Sequence, residues 1–313
     1  MVLLDIHDIS LQATTSDVVI ARDIERQVLY RRAELLAVAT KLLPTRQFGV
    51  LDVKFQFPSD LAGEYPIPEG SMAKLEGITW SDFNVTLEKG QVFYDITDEA
   101  KARQLAQYQM QVGRKKAAEA LAEILDHHVL DMIIAGTHVA NTVTVGAGDE
   151  WNGGGVTADP EQNIVDAIEN ILSNSRVTLE GLRNINMVVP TTVWGELRKL
   201  KLIGMVQQSF ESYFKTSFGL GIYPTRYTDC ITGMDTGISD DAYVVINSED
   251  AGLIGNFNPA PGMGIPMTEV WREHGVGERH LFTNWFKAKI QPLSDDTITS
   301  PYIAKIANVA TGP

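Results

Sequence analysis

The sequence predicts an α+β fold, and three observations predict it. Strand-like and helix-like stretches do not alternate regularly, which argues against a doubly wound parallel sheet. Residues 98–135 have a continuously helical composition, long for a globular helix. Two alternating apolar stretches, 48–57 and 80–97, flank the proline-bearing loop "PSDLAGEYPIPEGSM" and form a two-stranded excursion with little core of its own.

Taken in order, "SDVVIARDIERQVLYRRAELLAVATKLLP" places apolar residues at helical spacing from a cap at Ser16 to a stop at Pro44, giving a helical N-terminal arm. "FGVLDVKFQF" then reads as one strand, with Val53, Phe55 and Phe57 alternating against Lys54 and Gln56. After the loop, Phe83, Val85 and Leu87 share a face before Lys89-Gly90, and Val92, Tyr94 and Ile96 share one after it. Thr97 caps the long helix, with Asp98 and Glu99 suited to its first turn. At 1.5 Å per residue that helix would run about 57 Å, with Leu105, Tyr108, Val112, Ala117, Leu121, Ile124 and 129–134 as its apolar stripe. Gly113 inside it predicts a soft bend, costing about 1 kcal/mol relative to Ala.

"TVTVGAGDEWNGGGVTA" reads as a flexible linker, in which Gly153, Gly154 and Gly155 are the candidate hinge. Asp159, Pro160 and Gln162 spell the start of a helix with Ile164, Ile168 and Ile171 inward. "NINMVVP" is a buried strand, and "TTVWGELRKLKLI" a short helix capped by Thr191 or Thr192. "GIYPTRYTD", "AYVVINS", "AGLIGNF", "RHLFTNWFKAKI" and "SPYIAKIAN" are further strands.

Composition bounds the chemistry. The 313 residues, 44% of them hydrophobic, suffice for a sizeable core, and a net charge of −14 argues against affinity built on phosphate contacts. No apolar run is long enough for a membrane span, and the start "MVLLDIHDIS" lacks the pattern of a signal peptide. The single cysteine, Cys230, excludes an internal disulfide and a multi-cysteine zinc site.

Each candidate for chemistry has a plainer reading. His127 and Asp131, four apart on one helix face, could share a metal but lack a third ligand. "GAGDEWNGGG" has the glycines of a phosphate cradle without its Lys-Ser/Thr, and a hinge explains it better. Asp235, Asp240 and Asp241 do not match the EF-hand spacing and read as an acidic loop. G-x-S-x-G is absent, so an enzyme reading has no residues to stand on. "GERHLFTNWFKAKI" interleaves basic and aromatic residues, yet plain strand alternation accounts for it: Leu281, Thr283, Trp285, Lys287 and Lys289 on one side, His280, Phe282, Asn284, Phe286 and Ala288 on the other.

The order of parts, with "PIPEGSMAKLEGITWSDFNVTLEKGQVFYDITDEA", "NMVVPTTVWGELRKL" and "ITSPYIAKIAN", resembles the major capsid protein of tailed viruses of bacteria and archaea, the Hong-Kong-97-type fold. The resemblance implies an N-terminal arm (1–49), an extended loop (50–97), a peripheral domain built from 98–156 and 245–313 around a spine helix, and an apical domain (157–244). It implies that Tyr65, Pro66, Ile67, Pro68, Leu75, Trp80 and Phe83 meet the adjacent subunit, with the two prolines reducing the entropy lost on docking. The partners implied are further copies, in hexamers and pentamers of an icosahedral shell, with portal and scaffolding proteins, a decoration protein in some members, and double-stranded DNA held by weak nonspecific contact. The scaffold is expected to be separate or already removed. No cofactor and no membrane are implied, and the places implied are the virion and, during assembly, the host cytoplasm. Lys54, Lys74 and Lys89 are available for cross-linking, but no partner is marked and no cross-link is expected. Two rivals remain: an encapsulin-like shell around a cargo enzyme, and a metal-dependent enzyme using the His127 region.

Overall fold

The computed structural model describes residues 36–58, 77–103, 106–151, 159–175, 177, 184–198, 210–225, 240–249, 251–258, 268–273, 277–290 and 300–310. Its two large sheets share one long helix. In the first, β1 (Thr45–Phe48) lies parallel to β9 (Gly252–Phe257), and β9 is antiparallel to the end of β11 (Gly277–Ile290). The rest of β11 pairs antiparallel with β4 (Glu88–Thr97) and with β10 (Thr268–Glu273). The second sheet has the order β5-β12-β8-β6-β7, from β5 (Thr142–Thr144), β6 (Ile185–Pro190), β7 (Gly221–Thr225), β8 (Ala242–Ile246) and β12 (Ile303–Ala307). A separate hairpin joins β2 (Asp52–Pro58) to β3 (Trp80–Thr86).

The apolar runs of the second sheet follow from its being covered on both faces, a condition that removes the need for alternation. Met187, Val189, Val244, Ile246, Ala304 and Ile306 pack against α4 (Pro160–Asn174), α5 (Thr191–Leu197) and α6 (Phe210–Ser217). From the other face, Val188, Tyr243, Val245 and Ile303 join a cluster with Leu121, Leu125, Val129 and Ile133 of α3 (Ala106–Ala135). The expected junction at 244/245 falls inside β8, and segments from both sides of it share this sheet.

Local chemistry explains several elements as expected. Asp159 accepts from the Gln162 N–H at 3.1 Å, Pro160 opens α4, and Ile164, Ile168 and Ile171 are buried. Thr97 accepts from the Ala100 N–H at 3.2 Å. β11 keeps most of its alternation, with His280, Phe282, Asn284, Phe286 and Ala288 all buried; Thr283, expected on the other side, is buried as well.

Other expectations are corrected. The helix over 98–135 is not continuous: α2 (Asp98–Ala102) closes at Arg103, whose backbone leaves the helical region, and α3 begins at Ala106. The Thr97 N–H donates to Gln109 Oε1 at 3.2 Å, whereas a continuous helix would separate those residues by about 18 Å. The stretch 48–57 is two strands in different sheets, because β1 is bound to β9 and only β2 enters the hairpin. For the same reason 80–97 divides at Leu87 into β3 and β4. The linker contains strand β5, held parallel to β12, and its Trp151 N–H donates to the Val309 carbonyl at 2.8 Å. The N-cap of α5 is Pro190 without a side-chain cap; Thr191 Oγ1 instead donates to the Thr225 carbonyl at 2.8 Å. Helix α6 carries no expectation from the sequence. Of the expected N-terminal helix, residues 16–35 lie outside the described residues; among the described residues before Pro44, α1 (Ala39–Leu42) is helical, and Ala37, Ala39, Leu42 and Leu43 are buried against α3.

Gly113 is required by close approach and not by a bend. A Cβ there would lie 2.4 Å from the ring of Tyr94. That ring cannot swing aside, since it stacks on His280 at 4.8 Å and on Phe282 at 5.7 Å. Helix propensity alone says that Gly113→Ala stabilises by about 1 kcal/mol. The packing predicts the opposite: a loss of about 1–3 kcal/mol, read as a lower Tm and reversed in part by adding Tyr94→Leu. A Tm raised by Gly113→Ala alone would contradict this account.

Candidate assembly surfaces

The hairpin is anchored at one end, and at the other the described residues include exposed side chains. Near its base, Val53 of β2 and Val85 of β3 are buried with Leu87 against Leu253 and Phe257 of β9, with Trp285 alongside. The Lys89 ammonium lies over the Trp285 ring at 5.9 Å, and Lys287 pairs with Glu88 next to it. At the far end Trp80 stands opposite Pro58 and is 59% exposed, with Ile78 exposed beside it. Burying such a ring would be worth about 1.5–3 kcal/mol, which the described part of the chain does not gain at Trp80.

Of the residues expected at the extended loop, Trp80 is therefore placed at the exposed end of β3, and Phe83 sits opposite Phe55 in the ladder. Tyr65, Pro66, Ile67, Pro68 and Leu75 lie outside the described residues, as do the hinge glycines Gly153, Gly154 and Gly155, Asp235 and Cys230.

Two further surfaces escaped the sequence reading. Phe93 is 61% exposed on the face of β4 opposite Tyr94, with the Arg279 guanidinium 5.7 Å from its ring; Trp271, across the ladder from Arg279, is 41% exposed. Alternation around Tyr94 places Phe93 on the outer face, but does not say that no described residue covers this face. On α3, Tyr108 is 67% exposed and Val112 is also exposed, whereas the helical pattern assigns both to an inward stripe. The stripe turns inward only from Ala117 onward, where β11 and the second sheet supply the opposing surface.

The candidates for chemistry resolve into structure. His127 is buried in the helix, and among the described residues no group of three His, Cys, Asp or Glu is arranged to hold a metal. His128 Nε2 accepts the Ala288 N–H at 3.2 Å, and burial pushes its pKa down, so the ring is neutral and structural. Asp241 pairs with Lys305 at 2.6 Å and accepts from the Asn308 N–H, while the Asp240 carbonyl accepts from Val309 N–H. That segment is tied to the chain around β12. In "GAGDEW", Asp149 N–H closes a turn on the Gly146 carbonyl, and Trp151 is buried.

A family model for phage capsid protein matches residues 82–282, from within β3 through Phe282 of β11. The chain belongs to the phage capsid protein family. Solved structures share its fold at low identity. The virus-like particle from Pyrococcus furiosus is 10% identical, with a TM-score of 0.56 over 90% of this chain and 97% of that one. The capsid of a native GTA particle computed with C5 symmetry is 10% identical, TM-score 0.55, over 89% and 91%. Mycobacterium phage Adephagia is 11% identical, TM-score 0.52, over 88% and 91%. No curated protein matches the sequence. The phage capsid protein thus has the Hong-Kong-97-type α+β fold, its role is structural, and its place is the virion. The family does not favour an encapsulin-like compartment.

Within this capsid protein, one acid holds the root of the arm. Asp126 of α3 accepts the Ala39 N–H at 2.7 Å and a bond from the Val38 N–H, at a cavity of about 440 Å³ that Glu123 and His127 also line. Burial pushes its pKa up from 3.8 to about 6, against the opposing pull of those backbone donors and of His127. A raised carboxylate pKa means that the ionised form is disfavoured by folding. Its contribution is therefore most favourable below pH 3.8 and is lost as pH rises through about 6. Asp126→Asn removes that dependence while keeping an acceptor. The Tm difference between variant and parent is expected to move in the variant's favour from pH 4 to pH 7, by an equivalent of at most about 3 kcal/mol. A difference that stays flat over this range would show that Asp126 does not titrate there.

Proposed function

We propose that this capsid protein self-assembles into the hexamers and pentamers of an icosahedral head enclosing double-stranded DNA, with residues 50–97 as the extended loop that reaches a neighbouring copy. The observation that carries the reading is the hairpin, whose base is buried in its own chain while Trp80 and Ile78 are exposed at the other end. An isolated hairpin is marginal in water, and a neighbour's surface supplies what the single chain lacks. Tyr65, Pro66, Ile67, Pro68, Leu75 and Phe83 belong to the same contact, and Gly153, Gly154 and Gly155 take up the small differences between five-fold and six-fold settings. The arm (1–49), the peripheral domain (98–156 and 245–313) and the apical domain (157–244) are the working divisions of the shell subunit.

The net charge of −14 suits a container that does not adhere strongly to its packed DNA, so contact with nucleic acid is weak and nonspecific. Portal and scaffolding proteins, and a decoration protein, are the further partners in this reading, and assembly takes place in the host cytoplasm. No catalytic step is assigned to the chain.

Electron microscopy of the chain expressed alone and purified by size exclusion is the test, with ultraviolet absorbance for nucleic acid. Closed shells, tubes or capsomer rings are expected, and a co-purifying enzyme inside them would point to a cargo compartment instead. Trp80→Ser is expected to leave the Tm of the unassembled subunit unchanged and to raise the concentration needed for assembly about tenfold or more. Normal assembly with unaltered shell stability in that variant would remove the hairpin end from the contact.

A further inference from the structure

Segment 37–44 is docked onto the subunit and woven into neither sheet. Side chains hold both of its ends. Asp126 of α3 accepts the Ala39 N–H at 2.7 Å and a bond from the Val38 N–H. Farther along, the Lys41 carbonyl accepts two side-chain amides, from Asn186 of β6 at 2.6 Å and from Asn247 just after β8 at 2.8 Å. Sheet pairing takes over at Pro44, whose carbonyl accepts the Ile254 N–H at 2.9 Å before β1 runs beside β9. Between these ties Ala37, Ala39, Leu42 and Leu43 form the apolar seat, against α3 and both large sheets.

We infer that segment 37–44 is a strap that opens as a unit while both sheets stay folded, and that the charge on Asp126 sets how readily it opens. A docked segment that adds no strand to a sheet, and that is seated by so few apolar side chains, lies at the low end of the stabilities within a domain. The cavity of about 440 Å³ at Asp126 gives it room on one side, between Leu36 and Val38, α3, and Pro224 and Thr225 of β7. The consequence of opening is reach. Fully extended, eight residues span about 26–29 Å, in place of one helical turn and its flanks, and that length passes to whatever precedes Ala37.

The groups that face Asp126 fix the sign. From its own helix Glu123 adds negative charge and His127 opposes it, while Glu119, which also lines the cavity, is engaged by Lys115 and Lys116. β7 contributes Pro224 and Thr225, which carry no charge, and the charged residue of the strap is Lys41, which is exposed. Burial outweighs the backbone donors and holds the Asp126 carboxyl up at about 6, against an ordinary value of 3.8. Once the strap opens, the carboxyl meets water and ionises at its ordinary value. Docking is therefore tightest below pH 3.8 and loosens until the docked carboxyl is itself ionised, above about 6.

Hydrogen exchange of the full chain below its assembly concentration, read by mass spectrometry and corrected for the intrinsic rate at each pH, supplies the test. Protection of the Lys41 and Leu43 amides, which donate to the Val38 and Ala39 carbonyls, is expected to fall about tenfold from pH 5 to pH 7.5. In Asp126→Asn it stays level over that range, and β8 and β11 keep their protection in both proteins. Asn186→Ala combined with Asn247→Ala lowers strap protection about tenfold at every pH and leaves its pH slope as in the parent. That pair and the parent's own pH series decide the matter even where Asp126→Asn fails to fold. Level protection in the parent, a slope that survives in Asp126→Asn, strap protection indifferent to the two asparagines, or strands that lose protection in step with the strap overturn the inference. No shell is needed for any of these readings, so the strap stands or falls apart from self-assembly.

Discussion

The structure depends on one apolar seam. Leu121, Leu125, Val129 and Ile133 recur every four residues along α3 and meet, in a single cluster, side chains from both large sheets and from the segment before Pro44. Val188, Tyr243, Val245 and Ile303 come from the second sheet, Ile254, Phe286, Ala288 and Ile290 from the first, and Ala37, Ala39, Leu42 and Leu43 from the root of the arm. A helix presents one stripe, and a stripe can cover one sheet generously or two sheets narrowly. Here it covers two, so the seam positions the two large sheets relative to each other. Truncating Val129 or Ile133 would leave a cavity bordered by several elements, with no single neighbour able to collapse into it.

Where the seam ends, the character of the helix changes. From Ala117 onward the apolar residues have sheet to lie on; before it, Tyr108 and Val112 are exposed, with no sheet over them among the described residues. The pattern in the sequence is the same throughout, because periodicity records which face is apolar and not what covers it. This is why the sequence reading placed Tyr108 inward. Capping, by contrast, is local chemistry and was legible: Thr97 and Asp159 cap as their spelling says. So was the alternation of β11, which pairs along its whole length.

What stayed hidden was set by partners distant in sequence. The division of 48–57 into β1 and β2 follows from parallel pairing with β9, some two hundred residues away, and nothing local signals it. The break between α2 and α3 is accompanied by Gln109 reaching back to accept from the Thr97 N–H, a bond that a run of helix formers conceals. Gly113 carries information of the opposite kind. It reads as a weak point in a helix and is instead the place where a stacked aromatic ring passes closest to the backbone. The hairpin itself was legible, while its loop residues from Tyr65 to Leu75 lie outside the described residues.

The position of β12 has a consequence in time. It is an inner strand of the second sheet, between β5 and β8, yet it follows both in the chain, β5 by about 160 residues. A ribosome adding about 5–20 residues per second takes on the order of ten seconds to cover that distance. Throughout it, β5 lacks its parallel partner and Asn141, whose amide donates to the carbonyls of Pro301 and Ile303, has no such acceptors to bind. The second sheet therefore closes last, and β5 and Asn141 wait for β12 before either has its native partners.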